Sequence, residues 1–247
     1  MARSNAYLAL LSFIFTGGSI VLLFFVILSG VKDTSPLNRT YFLSADTDGI
    51  TGARQVSQWA YFYICSPGNV DCSGAWPAPP LGWAWSAKPE NAPAQLIGSY
   101  GGNTTSYYFF YLWRFGWVFY LITLIFSIVA FFASIIACCG RLGSAIAGLA
   151  ALVALAFHSV AVSLMTASFV QMRNAFHSAG RDASLGAYGF GFSWGSWAAL
   201  FIATVLLCMG IRGEGGSGRG FRLGRKRSVR SRRSYDLGSR RVKDDYA

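Results

Sequence analysis

Four stretches of this chain run long enough without a charged residue to cross a lipid bilayer: Tyr7–Gly30, Phe115–Cys139, Ala145 to about Val170, and about Phe192 to Ile211. A helix rises only about 1.5 Å per residue, so about 20 apolar residues are needed to traverse a hydrocarbon core roughly 30 Å thick. Inside that core each backbone N–H and C=O must be satisfied within the protein, which makes such stretches helices. Composition agrees, with 53% hydrophobic residues and only 13% charged ones, where soluble domains carry about 25%. A soluble enzyme, a disulfide-dense secreted miniprotein and a mostly disordered chain are all excluded. The first stretch exceeds the roughly 7–15 apolar residues of a signal-peptide core and is expected to be an uncleaved anchor, although Leu28-Ser29-Gly30 is small enough to resemble a cleavage site.

The charges that remain are unevenly placed. Of 21 Lys and Arg, 12 lie between Arg212 and Ala247, against 4 of the 10 acids, so this tail carries +8 of the net +11. Basic residues collect on the cytoplasmic side of membranes, which predicts an inner tail and, with four spans, an inner N-terminus. The expected organisation is a membrane domain over 1–211 and a basic disordered cytoplasmic tail over 212–247, with outer loops at Val31–Arg114 and Arg173–Ser193. Two features agree with that orientation. Both Asn-x-Thr acceptors, at Asn38 and Asn103, fall in the first outer loop. The aromatic residues Tyr107, Tyr108, Tyr111, Trp113 and Trp117 gather where the second span enters from outside, as Trp194 and Trp197 do for the fourth, and this is where an interfacial belt belongs.

The first outer loop is too long for a passive connector. Within it, Gln55–Ile64 carries Trp59, Tyr61 and Tyr63 at alternate positions and reads as a strand with one aromatic face. Cys65 and Cys72 flank a Pro67-Gly68 turn that would bring their sulfurs together. In an oxidising compartment a disulfide is expected, contributing roughly 2–3 kcal/mol in the loop-entropy model; two free thiols are the alternative. No His lies nearby, and the spacing is wrong for a CxxC metal or redox site. Trp76–Pro93, with five prolines and three tryptophans, reads as an irregular rim. Exposed aromatics there would suit a protein, a lipid headgroup or a sugar, or would pack on each other and on the leaflet.

These residues carry a resemblance. Four spans, a large first outer loop with Trp59-x-Tyr61-x-Tyr63-x-Cys65 followed by Cys72, a shorter second loop and a polar inner tail resemble the fungal claudin-related proteins of the SUR-seven and PalI type, which mark furrow-like plasma-membrane domains called eisosomes. The animal claudin signature places Gly-Leu-Trp before the first cysteine, where Tyr61-Phe62-Tyr63 stands here, so the fungal branch is the better match. The resemblance implies a left-handed bundle of four transmembrane helices with a claudin-like extracellular antiparallel β-sheet, in the plasma membrane. It further implies an organiser of a membrane domain that self-associates into an oligomer or lattice, meets sphingolipid or sterol and cytosolic eisosome scaffold proteins, and supports membrane and wall integrity. Other implied roles are a PalI-like accessory sensor of ambient pH or wall stress and a claudin-like adhesion protein.

Polar groups at depth are few. Of the ionisable types only His158 lies within a span, and it is expected to be a neutral His hydrogen-bonded across the bundle, with lipid or proton sensing as the alternative. Small residues at helical spacing, Ser12, Thr16, Gly17 and Ser19 in the first span and Ser144, Ala147, Gly148, Ala151 and Ala154 in the third, allow close helix packing within one chain or between copies. Gly191-Phe192-Ser193-Trp194-Gly195 spells the nucleophile-elbow pattern but leads into a span, with His177 in the same loop and no oriented carboxylate. No catalytic residue, metal or cofactor is therefore expected. In the tail, Arg222, Arg225, Lys226, Arg227, Arg230, Arg232 and Arg233 should bind anionic inner-leaflet lipid rather than nucleic acid, at about 1 kcal/mol per basic residue near the surface. A purely topogenic tail is the alternative. Ser228 and Ser234 suit a basophilic kinase whose phosphates would weaken that attachment. Cys138, Cys139 and Cys208 are candidates for S-acylation or are plain thiols.

Overall fold

The computed structural model describes residues 2–137 and 141–213. Among them, four long helices, α1 (Ala2–Ile27), α3 (Tyr107–Ala137), α4 (Arg141–Ser178) and α5 (Ala187–Gly213), surround one another, and α2 (Tyr100–Asn103) is a single distorted turn. Each long helix contains a segment long and apolar enough to cross a membrane: Tyr7–Ile27, Tyr107–Ile135, Ala145–Ser178 and Ala187–Gly210. The protein is a four-span bundle with a small antiparallel sheet at one end. Its helices outrun the apolar stretches, since α3 already starts at Tyr107 and α4 continues to Ser178.

Small residues decide how the helices pair. Helix α3 lies along α4, and α1 along α5. Ser19 and Ser196 exchange hydrogen bonds across the α1–α5 seam, each hydroxyl lying 2.9 Å from the other residue's carbonyl. Ser12, Thr16, Ala147, Ala151 and Ala154 have no exposed surface, and Gly17 faces the Phe131 ring. These small residues are thus buried inside one chain. What α1, α3, α4 and α5 expose to lipid is large and aliphatic or aromatic, such as Ile14, Ile125, Leu149 and Phe201.

The sheet comprises β1 (Leu43–Asp46), β2 (Val56–Trp59), β3 (Ile64–Cys65) and β4 (Ala183–Leu185), in the order β3-β2-β1-β4. Strand β1 pairs with β2 through Leu43↔Trp59 and Asp46↔Val56, and with β4 through Leu43↔Leu185 and Ala45↔Ala183. The fourth strand comes from the connection between α4 and α5, so the sheet unites two loops where the sequence pointed only to the first. A three-residue strand lies below the length at which alternation can be read. The junction after β4 requires glycine: Gly186 and Gly189 press against the Tyr41 carbonyl, where any Cβ would overlap it.

The core is densest where sheet meets helices. Phe42, just before β1, stacks on Phe169 of α4 with centroids 5.0 Å apart and meets Trp113 of α3 and Phe190 of α5 edge-on. Trp113 and Trp117 are buried. That corrects their assignment to the interfacial belt: one helix face carries Tyr107, Tyr108 and Tyr111 outward while these two turn into the core.

These contacts separate two glycines of α5. Gly191 has open space around its missing Cβ, so Gly191→Ala should leave the melting temperature in detergent unchanged or raise it, through a helix propensity gain of about 1 kcal/mol. Gly189→Ala should lower it, by at least the roughly 1–3 kcal/mol typical of overpacking.

Candidate functional site at the joint of sheet and bundle

The Trp59-x-Tyr61-x-Tyr63-x-Cys65 run is not one strand. Strand β2 ends at Trp59, Ala60–Tyr63 forms a turn closed by a 2.9 Å bond from the Ala60 N–H to the Tyr63 carbonyl, and β3 returns with Gln58↔Cys65 and Trp59↔Ile64. The expected single aromatic face is corrected accordingly: Trp59 and Tyr61 are both buried and Tyr63 is half-buried. The chain reverses because Tyr61 is drawn into the bundle. Its ring stacks on Trp117 at 5.2 Å, its hydroxyl donates to the Trp117 carbonyl at 2.6 Å, and the Trp117 indole N–H donates back to the Tyr61 carbonyl at 3.1 Å. Burial, and secondarily the neighbouring Tyr120, holds the Tyr61 phenol well above its ordinary pKa, so it remains a donor. The end of α1 accommodates this turn. Ser29 accepts the Tyr61 N–H at 3.1 Å, and Gly30, with φ +83°, lies under Ala60 and Tyr63. The small Leu28-Ser29-Gly30 run therefore has a packing role.

Tryptophan indoles secure the irregular segment after the disulfide. Trp59 donates to the Leu81 carbonyl (2.9 Å), Trp113 to Pro79 (2.8 Å), Trp85 to Thr104 (3.1 Å) and Trp83 to Gly101 (2.8 Å). A proline-rich loop has few N–H groups to satisfy its own carbonyls; Trp59 and Trp113 supply two from the core side, while Trp83 and Trp85 donate from the segment to the turn before α3. Pro79, Pro80, Pro89 and Pro93 are buried. Much of the segment is thus a packed wall rather than a rim, while Trp76 and Trp83 are its exposed aromatic rings and meet edge-on at 5.5 Å. Trp85, Trp113, Trp117 and Tyr120 belong to the joint although the sequence did not single them out for it. Their signal was the excess of tryptophan over the acceptors that an all-helical core could offer.

Cys65 and Cys72 form the disulfide. Inside its ring Ser66 pairs with Val70, and Asn69 donates to the carbonyls of Leu37 and Thr40. The ring is tied to the β1–β2 connection by Arg54, whose guanidinium lies 3.3 Å from the Asp71 carboxylate and donates to the Asp71 carbonyl at 2.8 Å. The second loop is pinned likewise, with Arg181 donating to the carbonyls of Asp48 and Asn91.

Below the joint, Tyr120 follows Tyr61 at 6.1 Å and His158 follows Tyr120 at 5.7 Å. Both His158 nitrogens are buried without a hydrogen-bond partner among the described residues. The expectation of a His bonded across the bundle is corrected: His158 meets the Tyr120 ring at a steep angle and bonds to no acceptor among the described residues. Ser193 lies well inside α5, buried, with its hydroxyl donated to the Gly189 carbonyl at 2.7 Å; His177 pairs with the Ala183 carbonyl instead. This is not elbow geometry, which places the serine on a sharp turn after a strand. Asn103 is exposed, whereas Asn38 is half-buried with its side-chain oxygen enclosed. Cys208 is a free, exposed thiol on α5. Cys138, Cys139 and the tail residues Arg222, Arg225, Lys226, Arg227, Ser228, Arg230, Arg232, Arg233 and Ser234 lie outside the described residues.

Comparison with known proteins places this arrangement. The model of the SUR7/PalI family matches residues 8–206. The chain is 34% identical to Protein SUR7 of Candida albicans over 79% of its own length and 71% of that protein's. It is 31% identical to Protein SUR7 of Saccharomyces cerevisiae, covering 82% and 67%, and 32% identical to the SUR7 family protein FMP45 of that yeast, covering 80% and 67%.

The joint makes graded predictions for thermal melts in detergent. Tyr61→Phe removes one hydrogen bond and should cost about 1 kcal/mol. Tyr61→Ala should cost about 3–5 kcal/mol, as large-to-small core changes do. A paired Cys65→Ser, Cys72→Ser change should cost roughly 2–3 kcal/mol.

Proposed function

This chain belongs to the SUR7/PalI family, and from that premise we propose that it is a plasma-membrane protein that organises a specialised membrane domain of the eisosome type. The observation that carries the reading is the closed body. Tyr61 fills the sheet end of the bundle, described small residues of the seams are buried within the chain, and of the Asp, Glu, Lys, Arg and His residues His158 alone lies deep in a span. Transport needs charged or broken-helix sites along a path, and little here supplies them. What the body offers is its surface: large apolar lipid-facing helices and a rigid sheet. Location also draws support from a relative, a Saccharomyces cerevisiae protein 31% identical over 77% of this chain whose name describes it as a plasma membrane protein. Because those small residues are buried within the chain, lateral association of copies would run through the sheet-side loops and the large apolar faces.

In this reading the tail lies on the cytoplasmic side and holds anionic lipid there, with Ser228 and Ser234 as release sites. Asn103, in the exposed turn before α3, carries the glycan. A second reading, an accessory sensor of pH or wall stress, is favoured by His158, whose two buried ring nitrogens have no hydrogen-bond partner among the described residues.

Imaging of the full tagged chain tests the first reading. Stable cortical patches with slow recovery after bleaching are expected; a uniform, freely diffusing distribution would reject it. A 212–247 peptide bearing Ser228→Glu and Ser234→Glu should bind anionic vesicles about tenfold or more weakly, at about 1 kcal/mol per charge. Loss of the enzymatic deglycosylation shift in Asn103→Gln but not in Asn38→Gln is expected, and the reverse pattern would contradict the assignment to the exposed acceptor.

A further inference from the structure

The exposed pair Trp76 and Trp83 lies at a level of the molecule that the hydrogen bonds fix. The segment Tyr107–Ile135 is 29 residues long, about 43 Å at 1.5 Å per residue, against a hydrocarbon core of roughly 30 Å. Its sheet-side portion is marked as interfacial by exposed Tyr107, Tyr108 and Tyr111 and by the Arg114 guanidinium, 4.3 Å from the Phe110 ring centroid. Counting about 20 residues from Ile135 brings the sheet-side hydrocarbon edge near Gly116 and Trp117. Phe62 meets Trp117 edge-on at 5.5 Å, and the Trp76 N–H donates to the Phe62 carbonyl at 3.2 Å. Trp76 is thereby linked through Phe62 to the Trp117 level of α3, and Trp83, 5.5 Å from it, is bonded to Gly101 in the turn before α3. Trp76 is 54% exposed, and no hydrogen bond to its indole N–H occurs among the described residues.

We propose that Trp76 and Trp83 seat the wall after the disulfide in the headgroup interface of the sheet-side leaflet, with the Trp76 indole donating to lipid ester or phosphate oxygens. The occupant follows from continuity. The pair extends the lipid-facing aromatic surface of α3 sideways at the same depth, and an amphipathic ring with an unused donor is what an interfacial position takes. The membrane is then gripped by four helices and also by a loop that crosses nothing. The sheet is held to the leaflet as well as to the bundle, independently of any organising role.

Power-saturation measurements on a nitroxide test this. The full chain with Cys138→Ser, Cys139→Ser and Cys208→Ser, carrying Trp76→Cys, is placed in phosphatidylcholine nanodiscs, with Asp48→Cys at the distal β1–β2 connection as reference. A several-fold higher ratio of oxygen to aqueous nickel-chelate collisions is expected at 76 than at 48; equal ratios would overturn the proposal. Should the cysteine variant fail to fold, the Trp76→Phe, Trp83→Phe chain keeps the ring packing. In lipid brominated near the acyl carboxyl end, its quenched fraction of tryptophan fluorescence should fall below the parent's. An unchanged fraction would mean that neither ring meets the leaflet.

Discussion

The reciprocal bond between Tyr61 and Trp117 joins the least regular part of the chain to the most regular. A turn that enters a helical bundle has carbonyls and N–H groups to satisfy in a place water does not reach. Here Tyr61 gives its hydroxyl to a helix carbonyl and receives the indole N–H of the same residue, and Ser29 takes its backbone N–H. With that turn anchored, β2 and β3 are aligned, Cys65 lies opposite Gln58, and the ring closed by Cys72 can rest on the carbonyls of Leu37 and Thr40 through Asn69. The indoles of Trp59, Trp85 and Trp113 repeat the device further along the loop. Each joins a buried ring to a loop carbonyl: Trp59 and Trp113 to the proline-rich segment, and Trp85 from that segment to the turn before α3.

Much of this was legible in the residues. Uncharged length fixed the four spans, and Pro67-Gly68 between two cysteines pointed to the bridge. Three features were not legible, for physical reasons. Alternation at Trp59, Tyr61 and Tyr63 suggests a strand, but a tight turn also places alternate side chains on one side, and only the bundle beneath decides between them. Trp113 and Trp117 sit in an aromatic cluster whose members face opposite ways, and helical phase separates them only when the partner helix is known. The hydrogen-bonding state of His158 depends on what stands opposite on α3, which a sequence does not reveal.

The same geometry bears on what the body can do. Helix pairs α1–α5 and α3–α4 are closed by hydroxyls and alanines, and the sheet end is filled by Tyr61. Surfaces that could meet other molecules are therefore peripheral: apolar helix faces, the exposed aromatic pair and the sheet-side loops.

The sheet's two borders carry a consequence for how copies could meet. One border is β3 with two residues and the other is β4 with three, the latter running straight into α5 through glycines pressed on Tyr41. Neither presents a long row of unused backbone donors and acceptors, the usual template for strand-to-strand polymerisation. Neighbouring molecules would have to recognise one another by side chains alone. Contacts of that kind can form, slip and re-form within a fluid sheet of lipid without ever growing into a fibre.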